Sequence, residues 1–213
     1  NNKSINQALN FHRDGNILYA VKYYKYFISK GLHDARIYSN YGIILKNQGK
    51  LKEAEYLMRK AINIKPDLAD TYYNLGNLLK SQSRFKEAED NLRKGIQLNP
   101  NFADCYYNLA QVLTELKQTK EAIILYRKAI NINPKFSNAF LNMSNLLIDL
   151  NKLEEAEKFI KIAIDLDPNL AIAHSNMANI LLRQGRLQEA EISARKAINL
   201  SPNLGIAHSN LGI

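Results

Sequence analysis

Asparagine recurs at a fixed interval of 34 residues along the chain, at Asn6, Asn40, Asn74, Asn108, Asn142, Asn176 and Asn210. A primary amide carries a carbonyl acceptor and an NH₂ donor on one planar group. A column of amides can therefore pair with the N–H and C=O groups of an extended polypeptide whatever its side chains. The chemistry on offer is recognition of a main chain, not the making or breaking of bonds. Three residues further on runs a second column, Leu9, Ile43, Asn77, Gln111, Asn145, Asn179 and Ile213, amide in the middle and apolar at the ends. It predicts that the central repeats bind best. Tyr73 and Tyr107 precede two of the asparagines and either offer a ligand an apolar surface with a hydroxyl or pack between helices. The candidate peptide-binding residues are thus Asn40, Asn74, Asn77, Asn108, Gln111, Asn142, Asn145, Asn176 and Asn179, with Tyr73 and Tyr107.

Chance does not produce the column. The chain holds 26 Asn in 213 residues, and at that frequency seven matches in one phase arise with a probability of roughly 4 × 10⁻⁷, or about 10⁻⁵ over all phases. Duplication of one ancestral unit is the plainer explanation, since copies inherit residues without needing them. Yet the residue before each Asn has drifted through Ile5, Ser39, Tyr73, Tyr107, Leu141, Ser175 and Ser209, which favours a use for the amide.

A period of this length is that of a helical hairpin copied along an array. Pro66, Pro100, Pro134, Pro168 and Pro202 share the interval, each ending an apolar helical run by disfavouring the α conformation of the residue before it. Asp67, Asn101, Asn169 and Asn203 follow as turn or N-cap residues for the next helix. Between Ala69 and Asn101, Tyr72, Leu75, Gly76 and Leu79 make one face of a first helix, with Asp70, Tyr73, Asn74, Asn77 and Ser81 opposite. Ala88, Leu92 and Ile96 make the core stripe of a second helix. Small residues form a column at Ala20, Ala54, Ala88, Ala122, Ala156 and Ala190, allowing close approach within each hairpin, and Gly15, Gly49 and Gly185 mark the turns. The expected fold is all-α, a solenoid of repeats at about 1–34, 35–68, 69–102, 103–136, 137–170 and 171–204 with a partial unit at 205–213.

Tyr72, Leu75, Gly76, Leu79, Ala88, Leu92, Gly95 and Pro100, and again Tyr106, Leu109, Ala110, Leu113, Ala122, Tyr126, Ala129 and Pro134, resemble the signature of the tetratricopeptide repeat (TPR). The first copy departs most, lacking the closing proline and carrying Phe27 where later copies have Ala or Gly. More narrowly, Ala173-His174-Ser175-Asn176-Met177-Ala178 and Ala207-His208-Ser209-Asn210-Leu211-Gly212 resemble the array of the O-linked N-acetylglucosamine transferases. That resemblance implies a right-handed superhelix whose inner asparagine ladder holds the backbone of bound protein segments. With first helices about 10 Å apart, a strand rising about 3.3 Å per residue would meet an Asn at roughly every third residue.

The net charge of +9 and pI of about 9.5 raise nucleic acid as a partner, but the predicted inner face balances Arg36, Lys46, Lys80 and Arg183 against Asp70, Asp104, Glu115 and Asp149. The excess falls on second helices and around Lys22, Lys25 and Lys30, so no continuous positive track is expected for a nucleic acid. Arrays that clamp the acidic tails of chaperones carry cations on three consecutive first helices. Here the inner cations read as scattered. Cys105 stands alone and reads as a buried apolar residue. His174 and His208, one repeat apart, read as core or rim residues and not as metal ligands. Neither catalytic constellation, metal site nor cofactor motif is visible, and no membrane span or leader is found.

These observations predict a cytoplasmic interaction module binding an extended peptide or protein segment. The alternatives are the substrate-docking arm of a larger transferase, or a scaffold associating end to end through the uncapped half-repeat from Ile206 to Ile213. The missing initiator Met and the partial last unit suggest a piece of a longer chain.

Overall fold

The computed structural model describes residues 2–212, with the side chains of residues 2 and 3 left aside. Among the described residues there are thirteen α-helices and no strand. They are α1 (Asn2–Arg13), α2 (Ile17–Ser29), α3 (Ala35–Asn47), α4 (Leu51–Ile64), α5 (Ala69–Ser81), α6 (Phe85–Leu98), α7 (Ala103–Glu115), α8 (Thr119–Ile132), α9 (Ser137–Asp149), α10 (Leu153–Leu166), α11 (Ala171–Arg183), α12 (Leu187–Leu200) and α13 (Gly205–Leu211). The chain divides into two compact units, Asn1–Leu116 and Lys117–Ile213. In the first unit the odd-numbered first helices α1, α3, α5 and α7 flank one another, and each second helix lodges between its own first helix and the next. In the second unit α9, α11 and α13 flank one another in the same way, with α10 and α12 lodged between them.

First helices are buried on two sides. Beside Leu75, Gly76 and Leu79, which face the partner of the hairpin, Thr71 and Leu78 are also buried, and Thr71 Oγ1 lies 3.2 Å from Ser39 Oγ of the preceding first helix. Helical periodicity distinguishes one apolar stripe, whereas a first helix inside an array has neighbours on both flanks, so the polar side left to solvent is narrow. The alanine column is fully buried in both units, leaving room for the helices of each hairpin inside a unit to close.

The prolines act through the residue before them. Lys65, Asn99, Asn133, Asp167 and Ser201 leave the helix with φ between −145° and −126°. At three joints this residue also supplies the turn. Asn99 Oδ1, Asn133 Oδ1 and Asp167 Oδ1 each accept the backbone N–H two residues on, at 3.1 Å. Of the turn and N-cap roles open to Asp67, Asn101, Asn169 and Asn203, they take the turn; the caps are Leu68, Phe102, Leu170 and Leu204, without a side-chain bond. The first joint is built differently. Gly31 (φ 70°) ends α2, and Asp34 caps α3 by accepting the Arg36 N–H at 2.9 Å.

The turn inside each hairpin needs a left-handed residue, found at Gly15, Gly49 and Gly185 and, without glycine, at Ser83, Lys117 and Asn151. Ser83 and Asn151, in hairpins that lie inside one unit, show that the geometry is imposed by hairpin closure, against a cost of about 1 kcal/mol for a side chain in that conformation. A second close approach sits between repeats. A Cβ on Gly95 would lie 2.9 Å from Cys105 Sγ, while the thiol donates to the Leu92 carbonyl at 3.2 Å. Burial pushes the Cys105 thiol up to about 12, which makes it unreactive. In the three repeats that follow, the same two positions hold Ala129 with Ala139, Ala163 with Ala173, and Ala197 with Ala207. The Gly–Cys pair is thus a redistribution of one volume. We expect Gly95→Ala and Cys105→Ala each to cost about 1 kcal/mol, by overpacking and by a cavity, and the double variant to recover most of it. Urea unfolding of the four proteins measures the coupling, and additive losses would refute the shared volume.

Second helices carry ion-pair clusters between neighbouring repeats. Arg84 donates to Glu55 at 2.6 Å and to Glu87 at 2.7 Å, and Arg59 reaches Glu87 at 3.1 Å. In the second unit Glu157 takes Lys161 at 2.7 Å, Arg186 at 2.9 Å and Gln184 at 3.2 Å. Lys161 first, then Arg186 and Gln184, hold the Glu157 carboxyl at about 2 against the burial that raises it. A lowered folded value means that the stabilisation is complete above the ordinary carboxylate range and is lost as pH falls toward about 2. Glu157→Gln is expected to cost about 1–2 kcal/mol at neutral pH, with the deficit shrinking through the acid range when unfolding is followed at several pH values. A deficit independent of pH would show that the charge is not what stabilises.

Candidate functional site

Every residue of the two amide columns within the described range stands on a first helix, on the narrow side that hairpin and inter-repeat packing leave open. In the first unit Asn6 is exposed and accepts from Arg36 Nη1 at 3.4 Å. Asn40 and Asn74 are half-buried and make no side-chain hydrogen bond among the described residues. Asn77 and Asn108 lie within hydrogen-bonding range of the Tyr73 hydroxyl, whose pKa burial raises. Tyr73 itself packs on Phe102 with ring centroids 4.9 Å apart. Asn108 is buried and donates to the Asp104 carbonyl at 2.8 Å, while its Oδ1 accepts from Lys80 Nζ. Gln111 Oε1 accepts from the same ammonium at 2.6 Å, and its Nε2 donates to the Tyr107 hydroxyl at 3.0 Å. Tyr73 thus packs its ring against a neighbour, and the hydroxyls of both tyrosines lie in the amide network.

In the second unit Asn142 is half-buried, Asn176 Nδ2 donates to Asn145 Oδ1 at 2.5 Å, and Asn210 Nδ2 donates to the Ser175 carbonyl at 2.9 Å. Asn179 Oδ1 is buried with no donor. The columns thus combine amides joined from repeat to repeat with amides that have unused capacity. Ile206 is exposed, and Ile213, at the end of the second column and of the self-association candidate, lies outside the described residues.

Two of the four inner cations are tied to joints. Arg36 pairs with Asp34 at 2.7 Å, and Arg183 donates to the Ile148 carbonyl and to Asn151 Oδ1. Lys46 and Lys80 remain, both half-buried, in the last turns of α3 and α5, with no carboxylate in ion-pair range among the described residues. Burial, and then the charge of Lys46, lower the pKa of Lys80. Sequence reading took these lysines as scattered, although their spacing of 34 residues places them in one column. The histidines belong to the joints. His174 Nε2 donates to the Pro168 carbonyl at 2.9 Å and His208 Nε2 to the Pro202 carbonyl at 2.7 Å. No group of three metal-ligating side chains occurs among the described residues, and no described helix is long and apolar enough to cross a membrane.

Sequence models of the tetratricopeptide repeat match residues 69–102, 103–136, 42–83, 125–158 and 171–204. The chain belongs to the tetratricopeptide repeat family. Such arrays are in general protein–protein interaction modules. No protein of curated function matches the chain in sequence. Among solved tetratricopeptide structures, YrrB, described as having an unusual peptide-binding site, is 25% identical with a TM-score of 0.72, over 89% of this chain and 98% of its own. PilF of Pseudomonas aeruginosa superposes with a TM-score of 0.86 at 18% identity, over 98% and 95% of the two chains. MamA of Desulfovibrio magneticus RS-1 follows at 0.71 and 20%, over 80% and 96%.

Within this tetratricopeptide array the Lys46–Lys80 relation has a measurable sign. Lys46→Gln removes a repelling charge, so the Lys80 ammonium should titrate higher than in the parent yet remain below free lysine, since burial is the larger cause. Carbon-13 NMR of the lysine Cε atoms reads both midpoints. A Lys80 midpoint that does not move would separate the two lysines.

Proposed function

We propose that the amide-bearing side of the first helices binds an extended protein segment through its main chain. The observation that carries this reading is the pair Asn40 and Asn74, equivalent residues of adjacent repeats whose half-exposed amides have no partner among the described residues. Half-exposed amides with no protein partner are met by water, and an extended chain can replace that water with its own donors and acceptors. Asn179 Oδ1, buried and without a donor, repeats the pattern in the second unit. The likeness to YrrB, whose description includes a peptide-binding site, supports the same use of the fold.

Because the contacts are to backbone, selection among side chains is weak, and affinity accumulates over repeats. The docking arm of a larger transferase, suggested by the Ala-His-Ser-Asn echo at residues 173–176 and 207–210, is the same recognition placed within a longer protein.

The partnered and unpartnered amides give different variants. Asn40→Ala with Asn74→Ala should weaken an extended peptide about tenfold, roughly 1.4 kcal/mol, with helicity and melting unchanged. Asn108→Ala should also lower the melting temperature, because it removes a buried side chain that bonds both Lys80 and the Asp104 carbonyl. Fluorescence anisotropy of labelled peptides alongside circular dichroism separates the cases. Parent-like affinity in the Asn40/Asn74 double variant would remove the amide column from the binding site.

A further inference from the structure

The outward side of α2 departs from the pattern that the other second helices share. At the register of Tyr19 they carry Glu53, Glu87, Glu121, Glu155 and Glu189, and at the register of Val21 they carry Glu55, Glu89, Glu157 and Glu191, with Ile123 in α8. Acids of this second set hold the cation four residues on. Arg59 meets Glu55 at 2.8 Å, Arg93 meets Glu89 at 2.8 Å, Lys161 meets Glu157 at 2.7 Å and Arg195 meets Glu191 at 2.8 Å. Lys25 occupies the same place in α2, where Val21 offers it no charge. No acidic residue stands in α2, and Asp14 in the turn before it is paired with Arg13 at 3.4 Å. Lys22, Lys25 and Lys30 are exposed, with no carboxylate in ion-pair range among the described residues. The outward positions around them are apolar: Leu18, at the register of Lys52 and Lys86, is 80% exposed, Tyr26 54% and Tyr19 49%. Helical spacing puts Leu18, Tyr19, Lys22, Lys25 and Tyr26 on one stripe, and a surface cavity of about 460 Å³ is lined by Leu18, Tyr19, Val21, Lys22 and Lys25. The packing rule of the array does not cover this stripe. Each second helix in the unit lodges between its own first helix and the next, so a repeat placed before α1 would set its second helix against α1 and leave the outward side of α2 open.

We propose that the outward side of α2 docks an acidic amphipathic helix of a partner protein, lying along α2 with its apolar residues against Leu18, Tyr19 and Tyr26 and its carboxylates on Lys22 and Lys25. This surface is separate from the amide-bearing side of the first helices. Charge complementarity selects the occupant, because the partner brings to Lys25 what Glu55 and Glu89 bring to Arg59 and Arg93 from within their own helices. Exposed ion pairs are individually weak, so the apolar contact carries the affinity while the lysines set orientation and choice of partner. With 13 residues α2 is about 20 Å long, and a helix of three to four turns, about 10 Å wide, matches it alone. An anionic membrane fits less well. A broad surface laid on α2 would also reach the exposed acid Glu53 at the start of the next second helix, and it has no side chain to insert beside Leu18.

The test uses the full chain and an acetylated, amidated, Ala-based helical peptide of about 14 residues, with Leu along one face and Glu on both flanks of it. It is compared with the same peptide carrying Gln for every Glu, and with vesicles of phosphatidylglycerol and phosphatidylcholine. The Glu peptide should bind about tenfold tighter than the Gln peptide at low salt, with the ratio shrinking as salt screens the lysines. NMR of ring-labelled tyrosine should show the Tyr19 and Tyr26 signals moving. Leu18→Lys with Tyr19→Glu, which gives α2 the residue types that α4 carries at Lys52 and Glu53, should weaken the Glu peptide about tenfold with helicity unchanged. Val21→Glu should also weaken it, by pairing Lys25 within the helix, while Lys128→Gln on the exposed surface of α8 leaves it as in the parent. Equal binding of the Glu and Gln peptides, or binding that survives both α2 variants, would overturn the proposal. Vesicle binding that the Leu18/Tyr19 double variant abolishes, with no peptide bound, would assign the surface to lipid and overturn it too, as would the failure of every probe to bind.

Discussion

Each hairpin inside a unit depends on a side chain no larger than a methyl where its second helix crosses its first. With Ala20, Ala54, Ala88, Ala156 and Ala190 all fully buried, backbones approach closely enough for the large residues around them, Tyr24, Met58, Leu92 and Ile160 among them, to fill the remaining space. That approach fixes the position of the second helix, whose outer flank then meets the next first helix. The orientation of every polar side chain on the first helices follows from it. Closure also explains the left-handed backbone at Ser83 and Asn151, where no glycine relieves it. Two helices locked at the alanine contact leave only one short path for the turn, and a modest local strain is outweighed by burial along both helices.

The period, hairpin unit, proline joints and alanine column were legible in the sequence because each is a local rule repeated in register. What escaped it depends on neighbours at long range. Thr71 and Leu78 lie outside the one apolar stripe that helical spacing marks, and a flanking first helix buries them. Asn99 and Asp167 bond the turns in which Asn101 and Asn169 sit, because an extended pre-proline residue aims its side chain forward into the turn, a geometry that residue type alone does not reveal. His174 and His208 had a regular spacing but no visible purpose until the preceding proline carbonyl came within reach. The amide columns were found by spacing, while the division between paired and unpaired amides rests on distances between repeats. Lys46 and Lys80 were available by the same spacing and were passed over because they were counted as charge and not as a column.

The amides serve two demands that pull apart. Those bonded between repeats, Asn145 with Asn176 and Asn210 with Ser175, hold neighbouring first helices in a set relation. Unpartnered ones keep capacity for a ligand at some cost in stability, since they add no bond between repeats. An array that joined all its amides internally would be stiffer and bind nothing, and one that joined none would lose repeat-to-repeat coupling. A mixed column meets both demands because stability in a linear array accumulates from neighbour interfaces, so a few free positions weaken only their own joints.

Lys80 shows how that compromise is reached at one residue. A half-buried ammonium would normally be matched by a carboxylate, but an acid at residue 108 or 111 would neutralise the charge. Two amide carbonyls orient the ammonium without cancelling it, and burial together with Lys46 keeps its charged form under tension. Amides in place of acids at those two positions hold the ammonium without cancelling its charge, so the central part of the amide column, Asn108 and Gln111, has a bonded role within the protein itself.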